Sequence, residues 1–335
     1  MNNWLNDLRV IDMGRSPAVK YCGRVMAQLG AQVLDVSEHA SGQLNARTLE
    51  FLQQGKQPVA ARTLNELREC SGCERFDIVI GDPGCDFDAF DCDPAHPMLR
   101  GIVDPFGPSG PWADWQGSEM VFATLGGASG YTLSESGMPV YGVGHRYQFL
   151  AGLYLYTALM ALAHRCSQVP DLPVRERLVR VSAYETVVAT MPYLPVQYFY
   201  NRSNRIDNHT GPRLVVRCKD GWIMSYLGAV WRSAAGLIDR LDLLDDPRFQ
   251  STASQFEHIA ALEALVREWG AGKTVAQTIE AARKWDIAVT EIVSTDVVFS
   301  QIADGHSGQW VHRDGGVQPA FPVVMKHNGM EAAHD

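Results

Sequence analysis

The sequence lacks an excess of basic residues, a long apolar run and an N-terminal signal pattern. Its net charge is -9 at pH 7, which argues against a nucleic-acid-binding surface, because such a surface needs a basic patch. No run reaches the ~18 apolar residues of a membrane span. The opening residues have no basic stretch followed by an apolar core, as a secretory signal would. We therefore expect a cytoplasmic protein that binds neither nucleic acid nor membrane.

The seven cysteines are an odd number and do not have the spacing of a disulfide framework, which favours reduced thiols. Cys70 and Cys73 form a Cys-x-x-Cys pair, and Cys85 and Cys92 follow. Four thiolates can bind zinc tetrahedrally. However, an apparent strand separates Cys73 from Cys85, and the second Cys-x-x-Cys pair is missing. We expect scattered loop thiols and no bound metal.

The first third of the chain predicts an α/β fold with a parallel sheet. LRVIDMG and AQVLDVSE are short apolar runs typical of buried strands. Between them, Ser16 and Pro17 have the residue types of a helix start, and Gly30 has that of a helix end. A helix in ARTLNELREC and a third strand in FDIVIGD follow. Strand-helix-strand units form parallel, doubly wound sheets.

A nicotinamide-binding site is the alternative that this pattern raises, with Glu38 after the second strand as the acid that binds a ribose. The first loop, GRSPA, has none of the spaced glycines that let the backbone approach a pyrophosphate. This absence argues against a nicotinamide cofactor.

The rest of the chain predicts a second, smaller domain. A helix over about residues 151–165 is apolar almost all round and is expected to be a buried core helix. Asp220-Gly221 has the composition of a hairpin turn, and Thr274 that of a helix N-cap. We expect a large domain over residues 1–200, a linker over 201–212, a small α/β domain over 213–305 and a shortened C-terminal return segment over 306–335.

One segment carries a family resemblance. In PVYGVGHRYQFLAGLYLYTALMALAHR, Gln148 precedes Ala151-Gly152 and a long apolar helix. This segment resembles the part of class III CoA-transferases that carries the catalytic aspartate. Other pieces resemble the same family in the same order: LRVIDMGRSPAVKYCGRVMAQLGAQVLDVSE, QQGKQPV, FDIVIGDP, FGPSGPWADWQG, YETVVATM, CKDGWIMSY, DDPRF and DIAVTEIVSTDVVFSQIADG.

The resemblance implies a Rossmann-like large domain, a small α/β domain and an interlocked dimer. It implies that coenzyme A or an acyl-CoA is bound with its nucleotide on the large domain, and that coenzyme A is transferred to a carboxylic acid. The family's motifs place coenzyme A contacts at Ala18, Lys56, Asp82 and Pro83. Arg146 is a further candidate contact, because it lies close to Gln148 and arginine suits phosphate. Gln148 stands at the position of the nucleophilic aspartate.

Several site positions depart from the family's pattern. Gln148 is an amide and cannot act as a carboxylate nucleophile; it can still donate a hydrogen bond to a thioester oxygen, or be a satisfied amide at a helix start. The resembled family has a racemase branch, in which a His and an Asp move the α-proton of the acyl-CoA. Ser118-Glu119 stands at the place of that His-Asp pair, so Glu119 is a candidate base or nucleophile, or an exposed loop carboxylate. Departures also occur at Lys20, at Ser37-Glu38-His39 and at Asp82-Pro83.

These observations leave more than one function open. The first is an acyl-CoA enzyme with altered chemistry: a transferase, isomerase, lyase or hydrolase. The second is a non-catalytic subunit that pairs with an intact paralogue, so either a homodimer or a heterodimer is expected. The third is a degraded relative that binds coenzyme A-like ligands or nothing. In the resembled family, a closing helix returns to the large domain and completes the ring that interlocks with the partner chain. The sequence ends at Asp335 without a match to that helix, so the resemblance leaves closure of the ring open.

Overall fold

The structure, a computed structural model, describes residues 4–37, 44–91, 93–131, 134, 137–202, 213–226, 231–303, 310–313, 316–319 and 322. The chain divides into two compact units. The first unit comprises Met1–Ile206 and Phe321–Asp335, and the second comprises Asp207–Ala320.

The first unit contains a six-stranded parallel sheet, which confirms the predicted α/β fold. The strand order is β3-β2-β1-β4-β5-β6, and every neighbouring pair is parallel. The order reverses between β1 and β4, as in doubly wound sheets. The strands are β1 Arg9–Asp12, β2 Gln32–Asp35, β3 Gln57–Pro58, β4 Ile78–Gly81, β5 Leu99–Asp104 and β6 Leu178–Ser182.

Eight α-helices accompany this sheet in the described part of the first unit. They are α1 Pro17–Gln28, α2 Ala46–Gln53, α3 Leu64–Ser71, α4 Glu119–Leu125, α5 Ala128–Tyr131, α6 Arg146–Gln168, α7 Ala183–Ala189 and α8 Tyr193–Asn201. The predicted start of α1 is confirmed, because the Ser16 side chain accepts a hydrogen bond from the Val19 N–H and Pro17 is the first helical residue. Gly30 follows the helix with φ 104°, a conformation that favours glycine.

The sheet buries a hydrophobic core on each face. Val10, Val33 and Ile80 pack in one core with α1 and α6. Ile11, Leu34 and Val79 pack in the other, with α3. This alternation follows the period of two in a strand. It also puts Asp12 and Asp35, each two residues beyond Val10 or Val33, on the α1 side of the sheet.

Helix α6 corrects one expectation. It begins at Arg146 and buries one face, made by Gln148, Ala151, Gly152, Leu155 and Leu159, rather than being buried all round. Leu153 and Tyr154 on another face are 37% and 46% exposed. An apolar composition does not specify how many sides of a helix find partners.

The same helix passes a simple length and composition test for a membrane span, with a mean hydropathy of 1.2 over an 18-residue window of which 22% is buried. Core helices of folded domains pass this test too. The buried face of α6 packs on α1, β5 and β6.

The second unit contains a three-stranded antiparallel sheet of order β7-β8-β9. The predicted hairpin turn at Asp220-Gly221 is confirmed. Thr274 is the predicted helix N-cap, and it forms a capping box with Gln277. The strands are β7 Arg213–Arg217, β8 Trp222–Tyr226, β9 Ala288–Glu291, β10 Trp310–Arg313 and β11 Gly316–Pro319, and the α-helices are α9 Trp231–Leu237, α10 Thr252–Glu257, α11 Ile259–Ala271, α12 Val275–Lys284 and α13 Thr295–Ala303. The predicted return segment, 306–335, lies outside the described residues apart from β10, β11 and residue 322.

Candidate active site

A cavity of about 460 Å³ lies at the carboxyl ends of β1, β4 and β5. This is the edge where open parallel sheets bind ligands. We call it the central cavity. It is lined by Arg15, Ser16, Ala18, Asp82, Pro83, Gly84, Val103, Asp104, Pro105, Ala113, Asp114, Trp115, Gln116, Gly117, Phe122, Gln148 and Ala183.

Gln148 is the third residue of α6 and lies in the wall of this cavity. The residue is 8% exposed. Within the described part of the chain, its side-chain amide has no hydrogen-bond partner, whereas its backbone N–H donates to Glu119 Oε2. A glutamine amide has two donor hydrogens and one acceptor oxygen. The cavity wall therefore presents an amide with unused hydrogen-bonding capacity.

Close packing of α6 on α1 fixes this position. A Cβ atom on Gly152 would lie 2.3 Å from the carbonyl oxygen of Ala18, a distance that no side chain tolerates. The glycine therefore lets the two helix backbones meet one turn from Gln148. This contact explains physically why Ala-Gly follows the site residue.

Glu119 is the first residue of α4 and is 4% exposed, so the alternative of an exposed loop carboxylate is wrong. One carboxylate oxygen accepts the Tyr147 N–H at 2.9 Å, and the other accepts the Gln148 N–H at 3.1 Å. These groups belong to the first turn of α6, which His145 precedes without a side-chain cap. Glu119 is not among the residues that line the central cavity. Its catalytic role stays a prediction, whereas its contacts are those of a helix cap.

Three predicted coenzyme A contacts, Ala18, Asp82 and Pro83, lie together in the wall of the central cavity. One oxygen of Asp82 accepts the backbone N–H groups of Arg15 at 2.5 Å and Ser16 at 2.9 Å. The Asp82 carboxylate thereby joins the loop after β4 to the loop after β1. It holds the start of α1 in place at the cavity.

Arg146 is exposed, and its guanidinium carbon lies 5.9 Å from the centre of the Tyr147 ring. It is not among the residues that line the central cavity. The neighbouring His145 has a buried Nδ1 without a partner among the described residues. Contact of Arg146 with a ligand stays a prediction.

Lys56 belongs to a buried charge cluster of Asp12, Lys20, Asp35 and Lys56. Asp12 and Asp35 end neighbouring strands in register. Because both carboxylates are buried, each needs a cation nearby. Lys56 Nζ donates to Asp12 Oδ2 at 2.6 Å and to the Lys20 carbonyl oxygen at 2.7 Å. All four side chains are almost completely buried. The Lys56 ammonium group is therefore engaged inside the protein, and its predicted contact with coenzyme A is untested.

Lys20 completes the cluster. Its ammonium group donates to Asp35 Oδ2 and, at 2.6 Å, to Ser37 Oγ, and it lies 4.0 Å from Asp12 Oδ2. Sequence reasoning marked Lys20 as a departure but missed this pair. The available signal was a lysine on the apolar side of α1, fifteen residues before a strand-ending aspartate.

Ionisation in this cluster follows from burial and pairing. Burial alone would raise the pKa of Asp35, but the Lys20 ammonium and hydrogen bonds from Lys20 and Ser37 hold that pKa below its ordinary value. Burial lowers the pKa of Lys56, and the Asp12 carboxylate opposes this shift. Burial raises the pKa of the Cys22 thiol, so this thiol is un-ionised and unreactive at neutral pH.

A second cavity, of about 440 Å³, lies at the carboxyl ends of β2 and β3. We call it the edge cavity. It is lined by Asp35, Val36, Ser37, Gln53, Pro58, Val59, Ala60, Ala61, Arg62 and Glu66. Gln53 Oε1 is buried and has no hydrogen-bond partner among the described residues. Such an acceptor requires a donor. Glu38 and His39, two of the positions that depart from the family's pattern, lie outside the described residues.

In the part of the chain that the structure describes, no group of three or more His, Cys, Asp or Glu side chains is arranged to hold a metal ion. Cys70, Cys73 and Cys85 are free thiols. Cys92 lies outside the described residues.

The sequence of this chain is similar to the sequences of two CoA-transferases. The chain is 25% identical over 307 residues, 82% of this chain and 74% of the relative, to succinyl-CoA–D-citramalate CoA-transferase of Chloroflexus aurantiacus. It is 24% identical over 310 residues, 82% of this chain and 75% of the relative, to succinyl-CoA–L-malate CoA-transferase beta subunit of the same organism.

Two solved structures show the same fold. Rv3272 from M. tuberculosis matches with a TM-score of 0.79 at 19% identity, over 97% of this chain and 93% of that one. A CAIB/BAIF family protein from Brucella suis matches with a TM-score of 0.76 at 17% identity, over 97% and 93%.

A family model covers most of the chain. The model of CoA-transferase family III matches residues 5–70 and 98–333. The stretch between them, which contains β4, Asp82 and three of the four clustered cysteines, lies outside the match. The chain belongs to CoA-transferase family III.

Proposed function

We propose that this protein acts on acyl thioesters of coenzyme A, and that Gln148 binds the thioester carbonyl oxygen without forming a covalent intermediate. The observation that carries the proposal is the unpartnered Gln148 amide in the wall of the central cavity. Its Nε2–H can donate to the oxygen on which negative charge develops. An amide nitrogen is not a nucleophile at neutral pH, so no acyl group is stored on this residue.

Transfer of coenzyme A without an aspartyl intermediate requires the acceptor acid to attack directly. The acceptor carboxylate oxygen forms a bond to the thioester carbon, and the carbon–sulfur bond breaks as the thiolate leaves with its electron pair. The thiolate then attacks the acceptor's carbonyl carbon of this mixed anhydride, and the donor acid leaves as a carboxylate. Both substrates must be bound together, so sequential rather than ping-pong kinetics are expected.

The edge cavity supports placement of the nucleotide end. From β3 to β5 the sheet edge spans four inter-strand steps, roughly 19 Å at ~4.8 Å each. One extended ligand can therefore reach both cavities. The exocyclic amine of an adenine base suits the unpartnered Gln53 Oε1. We expect Ala18, Asp82 and Pro83 to contact the thioester end.

Calorimetry with free coenzyme A and a series of acyl-CoAs tests this function. Gln148→Ala should weaken acyl-CoA binding by roughly three- to tenfold, the value of one neutral hydrogen bond, and leave free coenzyme A binding unchanged. Gln168→Ala, at the exposed far end of α6, is the matched control. Failure of the wild-type chain to bind any coenzyme A derivative would refute the proposal.

The Gln53 assignment has its own probe. Etheno-coenzyme A has no free exocyclic amine, so the wild-type protein should bind it more weakly than coenzyme A. In Gln53→Leu this difference should vanish. An undiminished preference in Gln53→Leu would show that another residue binds the base.

A second candidate is a non-catalytic subunit that pairs with an intact paralogue. Two observations favour it: Gln148 in place of the aspartate, and a relative that is itself named a beta subunit. Native mass spectrometry of the chain alone and mixed with an aspartate-bearing family member from the same genome separates the two. Turnover by the chain alone would support the enzyme; turnover that requires the mixed dimer would support the subunit.

A further inference from the structure

Two aromatic side chains, Trp115 and Phe122, belong to the wall of the central cavity. Trp115 lines the cavity and is 48% exposed. It is nevertheless held in place, because its ring stacks on Trp112 at 5.5 Å and meets Phe106 edge-on at 5.9 Å. Phe106 in turn packs edge-on against Phe122 at 5.5 Å. Such an arrangement presents a rigid apolar surface at little cost in side-chain entropy.

The charged groups of the wall are mainly acidic. The Asp104 carboxylate is paired with a cation, because Arg180 donates hydrogen bonds to both of its oxygens. Asp82 accepts only backbone N–H groups, and Asp114 is exposed. Among the described lining residues, Arg15 is the one cationic side chain. Apart from the Asp104 carboxylate, which Arg180 pairs, two carboxylates and one guanidinium line the cavity, so the wall carries a net negative charge.

From this wall we propose that the protein selects acyl groups that are apolar or aromatic and carry no second carboxylate. The inference rests on the proposed function, since it places the acyl chain beside Gln148. A second carboxylate would enter a cavity that the Asp82 and Asp114 carboxylates line, and like charges repel. The carboxylate of the acceptor acid already adds one negative charge to the same cavity. An aromatic or alkyl chain instead buries its surface against Trp115 and Phe122.

Binding of a matched panel tests the selectivity. The probes are free coenzyme A, phenylacetyl-CoA, hexanoyl-CoA and succinyl-CoA, each titrated into the full-length wild-type protein. Phenylacetyl-CoA and hexanoyl-CoA should bind at least tenfold more tightly than succinyl-CoA. The ratio should shrink as salt is added, because the discrimination against succinate is electrostatic.

Variants assign the selectivity to the wall. Trp115→Ala should weaken phenylacetyl-CoA binding about tenfold and leave free coenzyme A binding unchanged, whereas Trp115→Phe should retain most of the affinity. Trp222→Ala, an exposed tryptophan of the second unit, is the control and should change neither. Asp114→Asn should strengthen succinyl-CoA binding two- to fivefold.

The outcomes separate the two proposals. Succinyl-CoA binding as tightly as phenylacetyl-CoA, with free coenzyme A also bound, would overturn the selectivity and leave the proposed function standing. Absence of binding by every probe, including free coenzyme A, would overturn both. The wild-type measurements alone decide between these results, so the selectivity is tested even if the Trp115→Ala variant does not fold.

Discussion

Replacement of Lys20 by methionine is the sharpest test of the buried charge cluster. The two side chains have similar length, so the substitution removes the ammonium group and preserves most of the packing. Asp35, which is 3% exposed, then keeps the two hydrogen bonds from Ser37 to Oδ1 and loses the cation at Oδ2. Asp12 also loses a positive neighbour at 4.0 Å.

The expected cost is about 3–5 kcal/mol of unfolding free energy, the range for removal of one partner from a buried ion pair. This is a large part of the ~5–15 kcal/mol that stabilises a typical domain. The double variant Lys20→Met/Asp35→Asn removes both charges and should recover most of the loss, since an uncharged pair leaves no buried ion unpaired. The double-mutant cycle measures the coupling directly.

The pH dependence has a definite sign. In the wild type, the lowered pKa of Asp35 contributes stability that is fully present above pH ~4, the unfolded value, and is lost as pH falls through the lower folded value. In Lys20→Met, burial is no longer outweighed by Lys20, so the folded pKa rises above ~4. Stability of the variant should then fall as pH increases above ~4, the opposite slope.

Hydrogen exchange, measured at increasing urea concentrations in peptides that cover β1 and β2, reports on the stability of the first unit alone. This matters because a two-unit chain need not unfold in one step. Lys284→Met, exposed at the end of α12, is the control and should change stability by less than ~0.5 kcal/mol. A cost below ~1 kcal/mol for Lys20→Met, or an unchanged sign of the pH slope, would refute the account of this cluster.

Three further predictions concern the site's framework. Gly152→Ala should cost about 1–3 kcal/mol, because its Cβ would overlap the Ala18 carbonyl and force α1 and α6 apart; thermal unfolding checks this, and an unchanged midpoint would contradict the close contact. Glu119→Ala should cost about 1–2 kcal/mol as a lost helix cap, with Glu119→Gln costing less. If Glu119 is instead the catalytic base, both variants should lose turnover equally. Ser16→Ala should cost about 1 kcal/mol as a lost N-cap; no change in urea midpoint would contradict this.

Local sequence signals predicted the elements of the fold well. Ser16-Pro17 marked the start of α1, Asp220-Gly221 marked a hairpin, and Thr274 marked the start of α12. These features depend on residues a few positions apart, whose conformational preferences are local. The strand-helix-strand pattern of the first third of the chain indicated the parallel sheet that the structure contains.

The missed features depend on contacts between distant segments. Glu119 caps a helix that begins 27 residues later, and its own sequence context gave no sign of burial. Lys20 and Asp35 meet only because α1 packs across the ends of β1 and β2. The burial of α6 was overestimated because hydropathy records what a helix could bury, and the tertiary structure decides which faces do.

We propose that Gln148 binds the thioester without storing an acyl group or coenzyme A. Intact-mass spectrometry of the denatured chain after incubation with acyl-CoA and an acceptor acid tests it most directly, with Gln148→Asp as the comparison. We expect the wild-type chain to bind acyl-CoA under native conditions and to keep its unmodified mass after denaturation, and Gln148→Asp to acquire an adduct at residue 148. A covalent adduct on wild-type Gln148 would contradict the claim, as would a native spectrum with no bound acyl-CoA.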